Sequence, residues 1–194
     1  MNQEAGSLSG HGIHVIAVIG AGQAGRSFAM ACAAAGFYVV LEDVMPSNLR
    51  RAETEYSDLS LRGGFGELEL ASTVEEAVRE ADIAVDFVPD ELESKLEIFS
   101  MIDRMAPPKT ILCTPSHALS ITDLASCVYR PDRCFAVQGK IGVKGESVRL
   151  LHPPDVNEVV LQEVSGWLRQ LGAVTELVSD PMAPALVKNM VPKP

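Results

Sequence analysis

Apolar positions along this chain alternate between two rhythms. Ile13–Ile19, Tyr38–Glu42, Ile83–Val88, Thr110–Thr114 and Cys134–Gln138 are short, largely apolar runs, the pattern of strands covered on both faces. Between them lie longer segments with helical spacing. One runs from Gln23 to Ala35 and stops at Gly36, and Pro46 opens a polar one through about Tyr56. Ser72–Thr73 caps Val74–Glu80, with Glu75 and Glu76 in the favoured first turn. Glu91–Met105 places apolar residues at 92, 96, 98, 99, 102 and 105 before Pro107 and Pro108 end it. Ser120–Cys127 reads as a short helix and Asp155–Leu171 as a longer one closed by Gly172. Weaker strand signals fall at Glu67–Leu70, at Val148–Leu151 near a sheet edge, and at Ala173–Leu177. The strand–helix alternation predicts an α/β, doubly wound, mostly parallel sheet in a single domain over residues 13–178. Residues 1–12 are expected to be a flexible leader and 179–194 a tail or truncated linker.

The first strand, helix and second strand carry a chemical signature. Gly20, Gly22 and Gly25 form G-x-G-x-x-G, and Asp43 stands 18 residues after the last glycine, at the end of the second strand. Gly20 permits the turn out of the strand, Gly22 lets a pyrophosphate approach the backbone, and Gly25 allows helix and strand to pack closely. The N–H groups of the turn and first helical turn, around Gln23 and Ala24, point with the positive helix end toward the phosphates. Asp43 would accept hydrogen bonds from the adenosine ribose hydroxyls and repel a 2′-phosphate. Neither Val44 nor Met45 offers a cation to hold one. NAD(H) is therefore favoured over NADP(H) in a Rossmann-type fold. FAD uses the same fingerprint, and a plain glycine-rich turn is the unfunctional alternative.

Composition narrows the classes further. A chain of 194 residues with 47% hydrophobic content can build one α/β core. No apolar run reaches the roughly 18 residues that span a bilayer, and the N-terminal stretch lacks the pattern of a secretory signal. The formal net charge of −10 argues against nucleic acid or an anionic membrane as partner. Cys32, Cys113, Cys127 and Cys134 show no C-x-x-C pair and no zinc spacing, so no metal site is expected; they read as structural thiols in a cytoplasmic protein.

Three further runs, ADIAVDFVPDELESKLEIFSMID, APPKTILCTPSHALSITDLA and RPDRCFAVQ, follow the fingerprint in order. Together with it they resemble the NAD-binding domain of L-3-hydroxyacyl-CoA dehydrogenases over about residues 13–178. The resemblance implies an oxidoreductase that moves a hydride between NAD and a 3-hydroxyacyl-CoA or small hydroxy acid. It implies cofactor contacts from Gly20, Gly22, Gln23, Ala24, Gly25 and Asp43. It adds Lys95, near the nicotinamide ribose in the family, and Asp90, where the family has a glutamate close to the cofactor. The family asparagine in the counterpart of the second of these segments is Pro115 here.

The catalytic positions do not follow the family. Its general base is a histidine held by a glutamate twelve residues later, a pairing that tunes an imidazole to take the hydroxyl proton. This chain has Gln138 and Leu150 at those places. His117, which replaces a substrate-facing serine, is the candidate substitute base; Lys140 and Lys144 are weaker candidates as acids or anion ligands. Asn189 matches an active-site asparagine at the entry to the family's helical domain, which is expected to be absent here. Residues 44–72 are shorter than the family's CoA-holding hairpin, leaving Arg50, Arg51 and Arg62 as the basic residues there. Two functions stay open: an oxidoreductase using His117, or a catalytically inactive NAD-binding module. Either could self-associate or take its helical domain from a partner.

Overall fold

The computed structural model describes residues 12–63 and 66–180. Among them eight strands form one sheet: β1 (Val15–Ile19), β2 (Tyr38–Glu42), β3 (Glu67–Ala71), β4 (Ile83–Asp86), β5 (Ile111–Pro115), β6 (Cys134–Gln138), β7 (Ser147–His152) and β8 (Val174–Ser179). Their spatial order is β3-β2-β1-β4-β5-β6-β7-β8. The strands from β3 to β6 in that order pair in parallel. β7 then runs antiparallel to β6, and β8 runs parallel to β7. The predicted doubly wound, mostly parallel architecture is present. Strand 147–152 is not the edge itself: β8 lies outside it.

Side-chain alternation sends the two halves of each strand to separate cores. Ile16 and Val18 of β1 face one layer with Val39 and Leu41 of β2. That layer is closed by α1 (Gln23–Ala34), α2 (Pro46–Leu61) and α6 (Glu158–Gln170). Ala17 and Ile19 face the other with Val40, under α3 (Val74–Val78), α4 (Leu92–Met105) and α5 (Ile121–Ala125). Trp167 is 2% exposed and meets Phe28 edge-on at 6.0 Å, so α6 is pinned against α1.

Helix ends follow local chemistry where the hydropathy pattern is blurred. α2 continues to Leu61, beyond the predicted Tyr56. Thr54 and Ser57 donate to the carbonyls of Arg50 and Glu53 instead of breaking the helix, and Tyr56 and Leu59 pack on the core. α6 begins at Glu158, not Asp155, because Asn157 accepts from the N–H groups of Val159 and Val160 as its N-cap. At the N-terminal edge of the sheet, Asp82 accepts from the N–H of His14 and of Val15 and pairs with Lys109 at 2.5 Å. It staples the starts of β1 and β4. At the opposite edge, the parallel strands deliver their C-terminal turns to a common cleft, the place where open α/β sheets bind ligands.

Candidate dinucleotide site

Gly20 follows β1 with φ of 97°, a conformation that side chains resist. A Cβ built on Gly25 would lie 1.9 Å from the Gly20 carbonyl oxygen, so α1 can sit this close to β1 only with glycine there. A Cβ on Gly22 would meet nothing within 4 Å. The backbone is open there to an approaching ligand. Gly22 is also the N-cap of α1 and provides no side-chain cap, and Gln23 and Ala24 are exposed beside it. The positive end of a twelve-residue helix thus faces open space.

Asp43 is held in place by three donors. Its Oδ2 accepts from the Ala21 N–H at 2.8 Å and from Asn48 Nδ2 at 3.0 Å, and its Oδ1 accepts from the Met45 N–H at 2.7 Å. A carboxylate has about four lone-pair sites, so one acceptor direction stays open for a hydroxyl. A cavity of about 520 Å³ opens beside it, lined by Gly20, Gly22, Glu42, Val74, Ile98 and Met101 among others. This volume lies within the range of small-molecule sites. No ligand is needed to explain the glycines' packing, but the open Gly22, the uncapped helix and the positioned carboxylate fit the pyrophosphate and adenosine ribose of NAD.

The nicotinamide-side candidates occupy different environments. Lys95 is 1% exposed and donates to Asp86 Oδ1 at 2.7 Å, with Asp86 itself fully buried. Burial pushes the Asp86 carboxyl up, partly offset by Lys95 and by the neighbouring Thr114 hydroxyl. That hydroxyl falls short of a well-formed hydrogen bond, and Asp86 Oδ2 has no partner among the described residues. Lys95 is therefore an interior residue paired with Asp86 and is not part of the cavity wall. Asp90 accepts from the His117 N–H at 3.0 Å. Partial burial raises its carboxyl, but Ser116, the His117 N–H and the nearby charges of Lys95 and His117 hold it below the usual range. Asp90 thus ties the turn after β4 to the turn after β5.

His117 is exposed immediately beyond β5, at the same C-terminal edge as Gly20 and Asp43, and its ring makes no hydrogen bond among the described residues. The other described imidazoles stand elsewhere. His14 precedes β1, and His152 ends β7, whose reversed direction carries it to the edge where the parallel strands begin. Gln138 ends β6 and accepts from Arg149 at 2.8 Å. Leu150 is fully buried in β7, opposite Val137. These two positions hold a neutral amide and a core side chain, so they form no acid–base pair. Lys140 and Lys144 are exposed in the loop between β6 and β7. Arg50, Arg51 and Arg62 are exposed on or just after α2. Asn189 lies outside the described residues.

Glu42 escaped notice in the sequence. It is 4% exposed and lines the cavity beside Asp43. Burial first, and the Asp43 charge second, raise its carboxyl above the ordinary value. A glutamate ending an apolar strand reads as the last exposed residue of that strand, which hid it. The thiols of Cys32, Cys113 and Cys134 are buried, and burial pushes that of Cys113 up to about 12. At that value a thiolate is not populated near neutrality.

The architecture and cradle define a dinucleotide-binding α/β domain, and comparison with known proteins narrows the class. Residues 15–138 match the family model described as 3-hydroxyacyl-CoA dehydrogenase, NAD binding domain. The chain belongs to this family, and NAD is the cofactor of the matched domain. A probable 3-hydroxybutyryl-CoA dehydrogenase of Bacillus subtilis is 31% identical over 193 residues, covering 92% of this chain and 66% of that protein. The 3-hydroxyadipyl-CoA dehydrogenase of Escherichia coli is 29% identical over 134 residues, 62% of this chain and 28% of the relative. This chain therefore spans less than two thirds of the length of these relatives. The crystal structure of (S)-3-hydroxybutyryl-CoA dehydrogenase from Ralstonia eutropha superposes with a TM-score of 0.75 at 20% identity, covering 92% of this chain and 69% of that one, a likeness of fold.

Proposed function

We propose that this chain holds NAD(H) in the cleft at the C-terminal edge of its sheet, as the dinucleotide-binding module of a 3-hydroxyacyl-CoA dehydrogenase-like oxidoreductase. The observation that carries the reading is the pairing of an open Gly22 backbone with the positioned Asp43 carboxylate, on a helix packed too closely for any residue but Gly25. The Gly22–Gly25 turn would hold the pyrophosphate, and Asp43 the adenosine ribose. The nicotinamide, once bound, accepts or donates a hydride. Lys95 and Asp86 would shape the floor beneath the nicotinamide ribose, with Asp90 fixing the flanking turns.

On this reading the substrate of the active form is a 3-hydroxyacyl-CoA or a small hydroxy acid, as the relatives' names suggest. The proton in such a reaction needs a base. Gln138 and Leu150 supply none, which favours a module that binds NAD(H) without turning substrate over. His117 supports the second reading, because it is the described imidazole at the cleft edge and its backbone is anchored by Asp90. A histidine there could take the hydroxyl proton as the hydride leaves.

Incubating NADH with acetoacetyl-CoA and with small keto acids, while following loss of NADH absorbance, separates the two. The module reading expects saturable NADH binding with no loss above background. If turnover is seen and Glu or Gln substitutions elsewhere leave it intact, His117→Ala should reduce it at least 100-fold with NADH affinity unchanged, in the range of a lost general base. Unaltered turnover in that variant removes His117 from the chemistry.

A further inference from the structure

The alternation along β2 separates its last two acids. Val39 and Leu41 face the α1/α2/α6 layer, and Asp43 continues that face toward Ala21 and Asn48. Val40 faces the α3/α4/α5 layer, and Glu42 shares its face. Adjacent in sequence, the two carboxyls therefore serve different parts of the cleft. Glu42 meets the cavity next to Ile19, Val74, Ile98 and Met101, which form an apolar slot suited to a flat base.

The Glu42 side chain is almost wholly buried yet lacks a side-chain donor among the described residues. The nearest donor is the Gly20 N–H, and that N–H is already engaged at 2.9 Å with Glu42's own carbonyl oxygen. The residue lines the cavity, so the carboxyl can accept a hydrogen bond from a donor that a ligand brings. The surrounding wall is apolar, and Glu97, exposed at its rim, adds a second acceptor-only group. The slot therefore welcomes hydrogen-bond donors and opposes acceptors.

We propose that Glu42 reads the base of the dinucleotide: its carboxyl accepts a hydrogen bond from the exocyclic amino group at position 6 of adenine. It thereby selects an adenine dinucleotide over one whose base carries an oxygen there. This role rests on the NAD(H) reading above and adds to it a residue distinct from the ribose-binding Asp43. As a carboxylate the group is acceptor-only, so an oxygen at position 6 finds no donor in it.

The test compares fluorescence titrations of NADH and of reduced nicotinamide hypoxanthine dinucleotide, in which an oxygen replaces the 6-amino group. The wild-type chain should bind NADH about tenfold more tightly, the size expected of one hydrogen bond to a carboxylate. Glu42→Val should bring the two affinities within about twofold of each other. Glu42→Gln, whose amide can turn to donate to an oxygen at position 6, should narrow the preference as well. Thermal melting checks that both variants are folded, and removal of an unpaired buried acid should not lower the melting temperature. Equal affinities in the wild type, or a preference that persists in Glu42→Val, overturn the role of Glu42 while leaving NAD(H) binding standing. Failure of the wild type to bind either dinucleotide overturns the NAD(H) reading itself, and this role with it.

Discussion

Gly22 and Gly25, the two glycines that follow Gly20, illustrate how differently single residues matter in this cradle. At Gly25 the forbidden methyl group would be driven to within 1.9 Å of a backbone oxygen, whereas at Gly22 it would meet nothing within 4 Å. Gly25→Ala should therefore cost about 1–3 kcal/mol of stability through overpacking and weaken NADH binding along with it. Gly22→Ala should change stability by no more than about 0.5 kcal/mol, as for a substitution with space around it, and yet lose NADH affinity because the methyl obstructs the pyrophosphate. Denaturant melts paired with NADH titrations check both. Equal loss of stability in the two variants would contradict the distinction between a packing glycine and an approach glycine. The sequence motif names both positions, but only the packing of α1 on β1 separates their jobs.

Among elements, ionisable side chains act as ties between neighbouring strands and helices. Asp82 joins β1 to β4, and Lys95 joins α4 to the end of β4. Burial alone would raise the Asp82 carboxyl, but Lys109 and the N–H groups of Val15 and His14 bring it below its ordinary value of 3.8. An acid with a lowered folded value contributes stability above its unfolded value and loses it as pH falls through the folded one. Asp82→Asn should thus lower the melting temperature at pH 7, with the difference from wild type shrinking as pH drops below 3.8. A difference independent of pH would contradict a charge-based tie. The Lys95–Asp86 pair makes a separate prediction. Lys95→Met leaves a buried carboxylate uncompensated and should cost about 3–5 kcal/mol, while Lys95→Met with Asp86→Leu should recover most of it. If NADH affinity recovers with stability in the double variant, Lys95 acts through the fold; if affinity stays low, it reaches the cofactor.

These ties also mark where the sequence was readable and where it was not. Near-continuous apolar runs identify the central strands, because parallel strands are buried on both faces. Strand direction leaves no such trace, so the reversal at β7 and the outer position of β8 emerge only from pairing. The burial of Lys95 and of Glu42 leaves no trace in the sequence, since burial of an ionisable group depends on partners brought from elsewhere in the chain. His117 was legible as a candidate through the resemblance, which puts a substrate-facing serine at its place, but nothing local predicts that Asp90 engages its backbone N–H while its ring has no partner among the described residues.

Across the whole molecule, the binding and acid–base parts of a dehydrogenase are unequally represented. The glycines and Asp43 converge on one cleft, whereas the places of the family's base and its orienting acid are taken by Gln138, bound to Arg149, and by Leu150, buried within the sheet. Among the described residues no helix is long and apolar enough to cross a membrane. The net charge of −10 means that a dinucleotide, itself anionic, must be held by local features of the cleft against the field of the chain as a whole. On the proposed reading the helix end and turn N–H groups would provide that local attraction, and the carboxylate at Asp43 would disfavour an added 2′-phosphate. Side-by-side fluorescence titration of NADH and NADPH is the most direct measurement of this balance. Saturable binding of NADH in the micromolar range, at least tenfold tighter than NADPH, is expected for this cleft. No saturable NADH binding below about 1 mM, or equal affinity for the two, would contradict it.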